Sequence, residues 1–108
     1  MMLGEKQRVF TRLLVSRLLP RAYELGFEIT LGHAFRCADC LTGRKSSAHK
    51  NRLGIDLNLF KDGKYCVNTE DHRELGEFWE SLHEGCRWGG RFREVDGNHY
   101  SFEHTGVM

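Results

Sequence analysis

The chain has 108 residues and a formal net charge of +1, so it is short and close to electrically neutral. This length supplies one hydrophobic core, and we expect a single domain over residues 1–108. The sequence lacks the basic excess typical of nucleic-acid-binding domains, and no apolar stretch approaches the length of a membrane span. We therefore expect neither nucleic-acid binding nor membrane insertion.

The N-terminal region predicts a long helix followed by a strand. Apolar residues recur at helical spacing from about Glu5 to Leu25. Pro20 lies inside this stretch and should kink or split the helix, because proline has no amide proton to donate. Gly26 is a natural helix stop. The alternation over residues 27–31 predicts the first strand.

A second pattern, of period two, predicts a central strand. Ile55, Leu57 and Leu59 alternate with more polar positions and should face the core. Residues 61–64 read Lys-Asp-Gly-Lys, which is typical of a hairpin turn, and residues 65–67 should form the returning strand.

The last third of the chain predicts a second helix and a final strand. The helix should begin near Thr69, capped by that residue or by Asp71, and end at Gly85. We expect His72 and His83 on its surface. Residues 100–102 should form the last strand. The fold class predicted is α+β, with two helices on one face of a small, mainly antiparallel sheet.

Four residues could form a metal centre. His49 and Asp56 flank the start of the central strand, and His99 could join them from a neighbouring strand with Asp96 beside it. Two histidines and one carboxylate are the protein ligands of many catalytic zinc ions, where water fills the fourth position. Because Asp56 alternates with two core residues, its carboxylate should point to the opposite face of the sheet.

The pattern around these residues resembles a known family. In chain order its parts are Ser47-x-His49, six residues, Asp56, then Trp88-Gly89-Gly90, then Asp96-x-x-His99. This pattern is similar to that of the D-Ala-D-Ala carboxypeptidase / L-alanyl-D-glutamate endopeptidase family (peptidase family M15), and small phage endolysins match it best. The resemblance covers Phe10 to Glu103. Arg52 departs from it, standing where the pattern usually has Gly, and Gly54 replaces a usual Ala.

The resemblance implies a Hedgehog/DD-peptidase-like fold and a zinc metallopeptidase. One Zn²⁺ would be held by His49, Asp56 and His99, with Asp96 as the general base. Arg36 matches the family position that holds a carboxylate of the peptide substrate. A solvated or structural Arg36 is an open alternative.

Two further residues complete the predicted substrate site. Ser47 would line it or brace a ligand through a hydrogen bond, with a loop cap as the alternative. Trp88 would wall the site or belong to the core. Glu103 is a second candidate for the catalytic acid, with a supporting or surface position as the alternative.

The function implied is hydrolysis of a stem-peptide bond in peptidoglycan, by an L-Ala–D-Glu endopeptidase of the endolysin type. A D-Ala-D-Ala carboxypeptidase and a catalytically inactive zinc-binding domain of the same fold stay open. We expect a monomer. The polar N-terminus does not resemble a signal peptide, so the protein should stay in the cytoplasm until it is released to the cell wall.

A competing interpretation starts from Cys37 and Cys40, which form a Cys-x-x-Cys motif near His49 and the basic residues after it. Such a cluster could belong to a small metal-dependent nuclease, but the near-neutral charge argues against phosphate binding. A structural zinc knuckle would need two more ligands at similar spacing, and Cys66 and Cys86 are isolated. We expect the four cysteines to be thiols.

Overall fold

The computed structural model describes residues 1–32 and 51–108. Over these ranges the chain forms helices and a five-stranded antiparallel sheet, so the predicted α+β class is confirmed. None of the helices in the two ranges is long and apolar enough to cross a membrane.

The N-terminal helical region is continuous but changes its winding before Pro20. Helix α1 spans Leu3–Leu13, a π-helical turn spans Leu14–Leu18, and α2 spans Leu19–Glu24. Pro20 occupies the first turn of α2, and because it has no N–H it cannot donate a hydrogen bond to a carbonyl of the preceding turn. The predicted interruption at Pro20 is confirmed, and it takes the form of a π-turn rather than a sharp break. Gly26 ends the region with a φ of 91°.

The sheet has the order β1-β2-β5-β4, with β3 also paired to β2. The strands are β1 (Glu28–Leu31), β2 (Gly54–Lys61), β3 (Lys64–Tyr65), β4 (Cys86–Trp88) and β5 (His99–Phe102). The predicted hairpin is confirmed, because Asp62 and Gly63 have φ values of 53° and 76°, as a two-residue primed turn requires. The returning strand β3 is shorter than predicted, and β4 was not predicted.

One face of the sheet carries the core. Ile55, Leu57 and Leu59 of β2 are buried, as their alternation predicted. They pack with apolar side chains from α1, the π-helical turn, α2 and the helix over residues 69–82, chiefly Phe10, Leu14, Leu18, Ala22, Leu75 and Trp79. The helices therefore cover the face that Ile55, Leu57 and Leu59 occupy, and residues that alternate with these three point away from the helices.

The second long helix, α3, spans Thr69–Leu82, and its ends differ from the predicted ones. Its N-cap is Asn68, which forms a capping box with Asp71, instead of Thr69 or Asp71 itself. The helix ends before Gly85. A side chain at Gly85 would meet the ring of Phe102, so this glycine serves packing against β5 and not helix termination.

The predicted surface position of His72 is wrong. His72 is 3% exposed, and its Nδ1 lies 2.7 Å from the hydroxyl of Tyr100 on β5. Burial lowers the pKa of His72 to about 4, so the ring is neutral in the folded protein. Burial also raises the pKa of Tyr100 above its ordinary value. His83 is half-buried and stacks beside Phe102, with ring centroids 4.9 Å apart.

Candidate metal centre

Asp56 and His99 face each other across two neighbouring strands. They are direct partners in the antiparallel register of β2 and β5. Side chains of directly opposed residues share one face of a sheet, and this face is the one that points away from the helices. His99 is 4% exposed, and its Nδ1 lies 3.5 Å from Oδ1 of Asp56. The predicted approach of these two residues is thus found in the structure.

A tight turn brings Asp96 to the same place. The main-chain N–H of His99 donates to the main-chain oxygen of Asp96 at 3.1 Å, which closes a four-residue turn just before β5. Ligand atoms of Asp56, Asp96 and His99 all lie within 4.8 Å of one another. Asp96 is exposed while His99 is buried, so the cluster has one side open to solvent. These three residues could hold a metal ion.

The turn that carries Asp96 rests on Gly89. The N–H of Asp96 donates to the oxygen of Gly89 at 3.0 Å. A Cβ on Gly89 would lie 2.0 Å from the main-chain oxygen of Asp96 and 2.9 Å from Cβ of His99. Only a residue without a side chain allows this close approach, so the glycine is required by the site itself.

Trp88 holds the other side of the turn. Its Nε1 donates to the oxygen of Gly97 at 2.7 Å, and its ring fills the space that side chains on Gly76 and Gly90 would take. The ring is 1% exposed. Of the two interpretations left open for Trp88, the structure favours a core residue that positions the turn. A direct contact between this ring and a substrate does not fit its burial.

The separation of the Asp56 and His99 ligand atoms fits two corners of a tetrahedral cation site. Zinc bonds to nitrogen and carboxylate oxygen of about 2.0–2.2 Å place two tetrahedral ligand atoms about 3.3–3.6 Å apart. The 3.5 Å between Nδ1 of His99 and Oδ1 of Asp56 lies within that interval. Imidazole nitrogen and carboxylate oxygen also bind other divalent metals. The spacing therefore indicates a divalent cation of this size and does not single out zinc.

The other predicted site residues lie outside the described residues. They are Arg36, Ser47 and the third proposed ligand, His49, together with the Cys37/Cys40 motif. Their places in the site stay predictions. Within the described part of the chain, Asp56 and His99 come together as the sequence predicted, with Asp96 close enough to be either a ligand or a neighbouring base.

Arg52, which departs from the family pattern, has an unusual backbone. Its φ is 57°, in the left-handed region that glycine enters without steric cost. The pattern usually has Gly at this position, and the backbone here has the conformation that suits a glycine. A residue with a long side chain thus stands at a position whose backbone suits glycine.

Two contacts to His99 were not predicted. The ring of Phe92 lies against it, with centroids 5.4 Å apart. The Nε2 atom lies 2.9 Å from the main-chain oxygen of Met108. The dipeptide Thr105-Gly106 was the available signal for this second contact, because such a pair can turn the chain back toward β5.

Comparison with known proteins adds no family assignment. No protein-family model matches the chain, and a search of curated proteins found no match either.

Proposed function

We propose that this protein is a zinc-dependent peptidase that hydrolyses a stem-peptide bond of peptidoglycan, as an L-Ala–D-Glu endopeptidase of the phage endolysin type. The observation that carries the proposal is the pairing of Asp56 with His99 at a separation suited to zinc, with Asp96 beside them. The sequence resemblance supplies the substrate class.

A second observation supports the proposal. The family-like pattern has three parts after residue 55, which are Asp56, residues 88–90 and the turn from Asp96 to His99. They are separated in sequence but adjacent in the fold. Asp56 pairs with His99, and residues 88–90 hold the turn through Gly89 and the Trp88 indole. A set of residues that converges on one cluster is what a shared site requires.

The proposed roles divide between binding the metal and moving a proton. His49, Asp56 and His99 would hold zinc, which when bound supplies a Lewis acid for the peptide carbonyl and lowers the pKa of water to about 7. Asp96 would accept the proton of the attacking water and return it to the leaving amine. Its exposed position leaves the carboxylate accessible to water and substrate.

The remaining residues would bind the substrate or support the residues that do. Arg36 would hold a carboxylate of the stem peptide with its planar donor fork, and Ser47 would line the site or brace a ligand. Trp88 would act at one remove, by fixing the turn that carries Asp96. A monomer acting on the cell wall after release from the cytoplasm completes the proposal.

A peptidoglycan digest tests the reaction. Purified peptidoglycan is incubated with the protein, with and without a chelator, and new ends are identified by mass spectrometry. New L-Ala carboxyl and D-Glu amino ends that vanish on chelation and return with zinc are the expected result. Release of free D-Ala would instead identify a carboxypeptidase. If protein shown to hold one metal ion gives no product, the chain is a zinc-binding domain without catalytic activity.

The substitution Asp96→Asn separates the two roles open to this residue. If Asp96 is the base, Asp96→Asn should lower the rate of hydrolysis about 10²-fold or more and change zinc affinity by no more than about tenfold. As a ligand, its replacement would lower zinc affinity much further. Asp62→Asn is the matched control, because it makes the same chemical change in the exposed β2–β3 turn, where asparagine tolerates the φ of 53°. Full hydrolysis by Asp96→Asn would show that another group is the base.

A further inference from the structure

After β5 the chain returns to the Asp56–Asp96–His99 cluster through a small hairpin. His104 and Val107 form an antiparallel bridge with two main-chain hydrogen bonds of 2.9 Å each. Between them, Thr105 and Gly106 have φ values of 48° and 81°, which is the backbone of a two-residue primed turn. The N–H of Gly106 also donates to Oε1 of Glu103 at 2.6 Å. The direction of the chain after the hairpin is thus set by three local hydrogen bonds.

The hairpin delivers a main-chain oxygen to the ring of His99. Nε2 of His99 lies 2.9 Å from the oxygen of Met108. The oxygen of Met108 only accepts hydrogen bonds, whether it is a main-chain carbonyl or a terminal carboxylate oxygen, so the proton in this contact belongs to Nε2. In a neutral ring the lone pair is then on Nδ1, and Nδ1 is the atom 3.5 Å from Oδ1 of Asp56.

We propose that the main-chain oxygen of Met108 is a positioning group for His99. It holds the ring in the tautomer protonated at Nε2, with the lone pair of Nδ1 directed at the Asp56–Asp96–His99 cluster. The ring of Phe92 packs against the same imidazole and restricts its rotation. Partners of this kind commonly fix the tautomer of a metal-binding histidine and raise its affinity for the metal. The effect on zinc rests on the proposed function, whereas the tautomer does not.

Removal of Met108 is a sharp test, because it takes away the acceptor and leaves both hydrogen bonds of the His104–Val107 bridge possible. Met108→Ala is the matched control. It keeps the main-chain oxygen and removes only an exposed side chain. The tautomer of His99 is read in metal-free, ¹⁵N-labelled protein from long-range proton–nitrogen correlations, at a pH where the ring is neutral.

We expect the Nε2-protonated tautomer in the wild-type protein and in Met108→Ala, and a mixture or the other tautomer once Met108 is removed. A wild-type ring protonated at Nδ1 would overturn the proposal, even if the shortened chain fails to fold. An unchanged tautomer in a folded protein without Met108 would overturn it as well.

Zinc affinity, measured by competition with a chromophoric chelator, gives the second readout. Removal of Met108 should weaken zinc binding about 10–100-fold, and Met108→Ala should leave it unchanged. Equal affinities in all three proteins would refute the positioning role. If the wild-type protein binds no zinc, the proposed function fails, while the tautomer result still decides the role of Met108.

Discussion

The substitution Gly89→Ala should destabilise the fold at the Asp56–Asp96–His99 cluster. The added Cβ would lie 2.0 Å from the main-chain oxygen of Asp96, whereas carbon–oxygen contacts need about 3.3 Å. It would also lie 2.9 Å from Cβ of His99. Neither atom can rotate away, because one is main chain and the other is fixed directly to it. The turn from Asp96 to His99 would have to move by about 1 Å.

Overpacking of this kind costs about 1–3 kcal/mol, and we expect the upper end because rigid atoms are involved. A loss of about 3 kcal/mol should lower the melting temperature by about 12 °C or more in a domain of this size. The assay is urea unfolding, with the free energy of unfolding compared at equal slope. On the proposed function, zinc affinity should fall in the same variant, since two members of the cluster are displaced.

Gly4→Ala is the matched control for the same chemical change. Gly4 is exposed in α1, and its nearest neighbour would be the flexible guanidinium of Arg8 at 3.7 Å. Alanine should stabilise this helix by about 0.5–1 kcal/mol. If Gly89→Ala unfolds within about 0.5 kcal/mol of the wild-type protein, the turn that carries Asp96 is not seated on Gly89 as described.

Two further predictions concern a buried histidine and a strained backbone. The pKa of His72 is about 4 in the folded protein and about 6.5 when unfolded. Above about pH 6.5 neither state protonates the ring, so His72 causes no pH dependence of stability there. Between about pH 6.5 and 4 the unfolded chain binds the extra proton, so stability should fall with pH by about 3 kcal/mol in total. His72→Phe should flatten that slope in urea unfolding, and an equally steep slope would contradict the assignment. At Arg52, where φ is 57°, Arg52→Gly should be more stable than Arg52→Ala by about 1 kcal/mol, although both lose the same side-chain interactions. Equal stability of the two variants would argue against strain at this position.

The regular patterns of the sequence were enough to predict the main elements. Alternation of Ile55, Leu57 and Leu59 predicted β2 and the face it buries, and it followed that Asp56 points the other way. Pro20 predicted the interruption of the first helix. These features are local, because each depends on residues within a few positions of one another.

Features set by distant contacts were not predictable in the same way. The three-residue strand β4 is too short to show a period and is followed by two glycines that resemble a turn. His72 is a residue type most often found partly exposed, and its burial depends on Tyr100, which lies far away in sequence. The same holds at the site. The closeness of Asp96 to His99 was predictable because they are three residues apart, whereas the contact to Met108 requires the course of the chain after β5.

The strand order has a consequence for how the protein is made. β5 lies between β2 and β4, so the strand that is synthesised last among these five fills a gap inside the sheet. A nascent chain that stops before His99 would leave one edge of β2 and one edge of β4 without their partner, and such open edges favour pairing with other chains. The Asp56–His99 pair, which could hold a metal ion, would form only when the sheet closes during biosynthesis, because neither strand alone presents both residues.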